Sequence, residues 1–197
     1  MPGWTNGTIG GLLATACRRF AGRPALVRGA DTRTYGELLE RSARLANALR
    51  GTGLLPGTPV AAMLEDRISS LAVYVAAALG GFPVIHVNDR LAAPEVAHIL
   101  ADSGARAFFH TDGRAEVAVA AVAAVTSGPE LALLVTLGDQ RAPGARGYED
   151  LLARGSPAVE VTPRAPGDLA IVGYTSGTTG MPKGPWSASA RSPTASG

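Results

Sequence analysis

Apolar residues recur at helical spacing from the start of the chain: Ile9, Leu12, Leu13, Ala16, Cys17 and Phe20 mark one face, with Thr8 placed as an N-cap. A short strand over Ala25–Arg28 and a polar turn near Asp31 follow. Thr34 and Glu37 have the spacing of a capping box and open a helix carrying Leu38, Leu45, Ala46 and Leu49, which Gly51 and Gly53 close. From there strands and helices alternate. The pattern predicts strands over Val60–Leu64, Pro83–Val87, Ala107–His110, Leu131–Leu137 and Leu169–Tyr174. It predicts helices over Arg67–Leu79, Pro94–Ser103 (ended by Gly104), Ala115–Val125 and Tyr148–Ala153, and a surface loop over Gly138–Gly147.

Strands separated by helices of about ten residues make βαβ units, so the expected class is α/β: a mainly parallel sheet with flanking helices. The strand runs show little polar alternation, as strands covered on both faces should. The stretch from Ile68 to Asn88 has no Asp, Glu, Lys or Arg, but Gly80, Gly81 and Pro83 interrupt it, so it reads as a buried helix and strand rather than a membrane span.

Composition narrows the function classes. The chain has 197 residues, 46% hydrophobic and 17% charged, which suits one packed domain and excludes wholesale disorder. One cysteine, Cys17, excludes an intrachain disulfide framework and reads as a small buried thiol. The net charge is +2 and the arginines are scattered, so the basic stripe of a nucleic-acid binder is missing. The N-terminus lacks a basic leader, and a cytoplasmic location is expected. All but one of the 18 basic residues are arginine; the exception is Lys183.

That lysine closes the segment Y-T-S-G-T-T-G-M-P-K-G, Tyr174 to Gly184. A buried strand runs into a loop of glycines, which let backbone N–H groups approach an anion, and of hydroxyls, which add donors; the lysine adds a mobile positive charge. The combination suits a nucleotide polyphosphate. A Walker A loop is excluded, because Pro182 and Gly184 stand where it needs Gly and Ser or Thr. Other candidates are blander. His86, His98 and His110 are placed on a strand, a helix and a strand, and their spacing does not bring them to one metal. Glu65-Asp66 follows a strand, with Asp66 read as the cap of the next helix, and Glu149-Asp150 reads as a solvated helix start.

Y-T-S-G-T-T-G-M-P-K-G resembles the phosphate-binding signature of the adenylate-forming superfamily of acyl-CoA synthetases, nonribosomal adenylation domains and luciferases. Thr34–Leu49 resembles that family's first long helix, and His86–Arg106 its segment after the central crossover. The resemblance covers about residues 8–184 and implies a two-step reaction: ATP and a carboxylic acid give an acyl-adenylate and pyrophosphate, and a thiol, commonly coenzyme A, captures the acyl group. By the same resemblance Thr175, Ser176, Gly177, Thr178, Thr179, Gly180 and Lys183 hold ATP phosphates, with Thr175 also touching Mg²⁺. The expected function is the N-terminal portion of an ATP-dependent acid–CoA ligase acting on a fatty or other small acid and inactive as this chain. The alternatives are a fragment of an amino-acid or aryl-acid adenylation domain and a noncatalytic, pseudogene-like product.

The likeness breaks at Pro185. Family members continue with a hydrophobic residue and then His, where this chain has Pro185-Trp186-Ser187-Ala188-Ser189. The expected organisation is therefore a family domain over 1–184 and a disordered Ser/Ala/Pro tail over 185–197, the tail arising from a frameshift or an expression remnant.

Overall fold

The computed structural model describes residues 8–65, 67–165, 167–174 and Pro182. Helix α1 (Ile9–Arg19) is capped by Thr8, whose Oγ1 accepts from the Gly11 amide at 3.3 Å. Strands β1 (Pro24–Arg28) and β2 (Asp31–Thr34) form an antiparallel hairpin; the sequence marks only a turn near Asp31, because Asp, Thr and Arg carry no apolar alternation. The Thr34–Glu37 capping box opens α2 (Tyr35–Gly51): Glu37 N donates to Thr34 Oγ1 and Thr34 N to Glu37 Oε2. Two bonds to the carboxylate, first from the Thr34 amide at 2.7 Å and then from the Thr34 hydroxyl at 3.1 Å, hold the Glu37 carboxyl below its ordinary range.

The remaining chain alternates as expected: β3 (Val60–Met63), α3 (Ser70–Gly80), β4 (Val84–His86), α4 (Ala93–Ser103), β5 (Ala107–Thr111), α5 (Ala115–Ala124) and β6 (Leu133–Leu137). After β6 come β7 (Arg146–Gly147), α6 (Tyr148–Arg154) and β8 (Ile171–Gly173). The segment read as loop 138–147 thus ends in a two-residue strand beside β6 and buries Ala142. Helix α3 starts three residues later than predicted, with Ser69 at its N-cap; Asp66, read as that cap, lies outside the described residues.

Six strands form one parallel sheet in the order β7-β6-β5-β3-β4-β8, with Val60 aligned to Val84 on one side and Ala107 on the other. Successive residues of β3 serve opposite layers. Val60 and Ala62 pack with α1, α2, α3 and α6, whereas Ala61 and Met63 pack with α4 and α5. Among the described residues no helix is long and apolar enough to cross a membrane, and Ile68–Asn88 forms α3 and β4.

The buried face of α1 differs from the one its large apolar residues mark. Ile9 and Leu12 are exposed, and Gly10, Gly11, Ala14 and Cys17 are buried. A Cβ on Gly10 would lie 2.3 Å from the Ala78 carbonyl oxygen. Close approach of α1 to α3 requires small side chains, and that contact selects the face. Cys17 is buried as expected, and burial pushes its thiol pKa up.

Candidate functional site

In a parallel sheet every strand points its carboxyl end the same way, and ligands bind along that edge. Two stretches of it carry polar groups. The first lies between β3 and β5, whose connections leave in opposite directions. Here Thr111 Oγ1 donates to Glu65 Oε2 at 2.7 Å, Arg67 pairs with Asp112, and Arg114 lies 3.5 Å from Glu65 and 3.8 Å from Asp89. Asp112 also accepts from the Gly113 amide at 2.9 Å and the Asp139 amide at 3.2 Å. Behind this network His110 is fully buried in β5. Its Nδ1 meets the Thr111 carbonyl at 2.9 Å, and a carbonyl only accepts, so Nδ1 carries the proton. Nε2 then accepts from Thr136 Oγ1 at 3.1 Å, and that hydroxyl accepts from the Ala142 amide at 3.2 Å. Desolvation holds the His110 pKa below its ordinary value, against the opposing pull of Thr111 and Asp112.

Beside this network a cavity of about 410 Å³ opens toward α2, α3 and α6, with Arg33, Arg41, Arg67 and Arg141 in its wall. Three of these are already paired: Arg41 with Glu149, Arg67 with Asp112, and Arg141 with Asp150 at 2.5 Å. The Arg41 guanidinium also sits 5.4 Å from the Tyr148 ring centroid. Burial pushes the Tyr148 hydroxyl pKa up to about 12, so it stays protonated, without a hydrogen-bond partner among the described residues. The wall is rich in arginine but nearly neutral.

The second stretch is the end of β8, at the edge of the sheet beside β4, with His86 aligned to Gly173. Tyr174 leaves the strand here, and its hydroxyl donates to Asp102 Oδ2 at 2.7 Å. Eight residues later the buried Pro182 carbonyl accepts from His98 Nε2 at 3.0 Å, which places the His98 proton on Nε2. His98 and Asp102 are one helical turn apart on α4, which Val96, Ala97, Ile99 and Leu100 fix to the sheet. Glu95 ties down its first turn by accepting from the Ala92 amide at 2.9 Å, and Gly104 ends it at φ +66°.

Between these anchors lie the predicted phosphate ligands. Thr175, Ser176, Gly177, Thr178, Thr179 and Gly180, and beyond Pro182 also Lys183, are outside the described residues, as is the segment 185–197. What the structure describes is β8 before that segment and the two contacts of α4 with Tyr174 and Pro182. Sequence reasoning missed His98 and Asp102: it weighed His98 only as a metal ligand, and nothing in the spacing links α4 to a strand more than 70 residues away. The three histidines sit on β4, α4 and β5 as predicted and point to separate partners; His86 Nδ1 meets Tyr74 Oη at 2.7 Å. Among the described residues no group of three potential metal ligands converges.

Known proteins place the chain clearly. A family profile described as AMP-binding enzyme matches residues 13–185. A feruloyl-CoA synthase of Amycolatopsis is 37% identical over 160 residues, which is 81% of this chain and 29% of that protein. The fatty acid–[acyl-carrier-protein] ligase ScoC of Streptomyces coeruleorubidus is 38% identical over 161 residues, 82% of this chain and 29% of that protein. In fold, the chain is similar to the anthranilate CoA ligase AuaEII solved with anthranoyl-AMP: TM-score 0.83 at 23% identity, over 93% of this chain and 35% of that one. The chain spans less than a third of the length of the curated relatives it matches.

Proposed function

The chain belongs to the AMP-binding enzyme family, and from that premise we propose that it is the N-terminal, phosphate-holding part of an ATP-dependent acid–thiol ligase. The observation that carries this reading is the position of the signature: Tyr174–Gly184 follows β8 directly, at the carboxyl edge of a parallel sheet where phosphate ligands bind. In this reading the backbone amides and hydroxyls of 175–180 would be the donors, and Lys183 the mobile charge, for the ATP phosphates. The acid is activated because a free carboxylate is a poor electrophile, and adenylation turns its oxygen into a good leaving group. A thiol, coenzyme A in the leading reading, then takes the acyl group. A fatty acid is the expected substrate and an aryl acid the alternative; relatives named for each class support both.

Mg²⁺ suits this donor set only in part. The Thr175 hydroxyl is a hard oxygen that would help hold the ion, and ATP oxygens and water would have to supply the other ligands. The ion would neutralise charge on the phosphates.

The proposal includes that this chain alone does not adenylate. Hydrogen bonds to charged oxygens contribute roughly 1.5–3 kcal/mol each, against an association cost of about 4–15 kcal/mol. With only these donors, the expected affinity is weak, on the order of millimolar. ATP–pyrophosphate exchange with the 197-residue chain over a panel of fatty and aryl acids tests it. We expect no exchange above background; exchange that disappears in Lys183→Ala would contradict the inactivity.

A further inference from the structure

We infer that His98 and Asp102 of α4 are positioning residues for the phosphate loop: together they clamp its two ends, Pro182 through its carbonyl and Tyr174 through its hydroxyl. The inference rests on the phosphate-loop reading for its purpose and on the described geometry for its substance. Both contacts have one sense of donation. A carboxylate accepts from a phenol, and an Nε2–H donates to a carbonyl, so neither can reverse its roles. Both contacts come from one turn of α4, whose two positions lie about 6 Å apart along the helix axis.

The helix is suited to this. Its apolar face is buried against β3, β4 and β5, and His98 and Asp102 stand half-buried at its side, so the spacing of the clamp follows the sheet rather than the loop. Fixing both ends before a ligand arrives lowers the ordering cost of bringing loop donors onto an anion.

The test is amide hydrogen exchange of Thr175–Lys183 in the full chain, read against β5 amides and the melting temperature. Tyr174→Phe, Asp102→Ala and His98→Ala should each speed loop exchange about tenfold while β5 exchange and melting stay near wild type. Asp102→Asn keeps an acceptor for the phenol and His98→Gln keeps an N–H for the carbonyl, so both should restore protection. Loop amides that exchange at the unprotected rate in the wild type, or that ignore all three variants, would overturn the clamp. Loop and β5 rates rising together would reduce it to ordinary packing. Inorganic tripolyphosphate, titrated separately, keeps the two readings apart: a clamp that responds to the variants in a chain that does not bind tripolyphosphate leaves the clamp standing and removes the phosphate reading.

Discussion

Two places along one sheet edge carry polar side chains, and they differ in what those side chains are committed to. At the cavity beside β6, guanidiniums are plentiful, but Arg41, Arg67 and Arg141 each face a carboxylate of their own. At the end of β8 the described side chains, Asp102 and His98, bind the ends of a segment rather than an anion. Arginine number is therefore a poor guide to uncommitted positive charge here. A guanidinium that faces its own carboxylate has its charge largely neutralised before any ligand arrives.

The comparison breaks most visibly at Asp112. Asp112→Ala removes the partner of Arg67 and an acceptor of the Asp139 amide, and should cost about 2 kcal/mol in urea unfolding while leaving the end of β8 untouched. A loss below 0.5 kcal/mol, read against the roughly 0.5–3 kcal/mol range of ordinary substitutions, would mean that the network is not structural. Thr136→Val sharpens the same side: His110 Nε2 and the Ala142 amide lose their shared partner, for about 1.5 kcal/mol.

His110 also gives the cavity side a pH dependence. Its folded pKa is depressed, so as pH falls below about 6.5 the unfolded chain takes up a proton that the folded chain resists. The unfolded state then binds more protons and stability falls toward acid, by at most about 1.4 kcal/mol per pH unit from this group. Urea titrations from pH 7.5 to 5 should show the decline, and His110→Gln should flatten it. Smaller still is Arg33, which makes no ion pair among the described residues. Arg33→Ala should change stability by less than about 0.5 kcal/mol.

Much of this architecture was legible in the chain because period and punctuation agree. Thr34 with Glu37 and Gly104 after Ser103 mark helix ends by local hydrogen bonding and backbone freedom, which sequence displays directly. The unalternated runs of β3 and β5 signal burial on both faces. What escaped was tertiary. The face of α1 was set by a close approach to α3 that favours Gly10 over Ile9, and β2 is held by its pairing with β1, not by apolar residues of its own. The signature loop was legible as chemistry, but its holders on α4 were not, since His98 and Asp102 acquire their roles only when β4 brings β8 alongside.

The most direct test of the account is a titration of isotope-labelled chain with inorganic tripolyphosphate, followed by amide resonances. The account predicts millimolar binding with shifts concentrated at Gly177–Gly180 and Lys183, lost in Lys183→Ala, and none at Arg33, Arg41 or Arg141. Shifts centred on the arginine-lined cavity, with the segment after β8 silent, would contradict it.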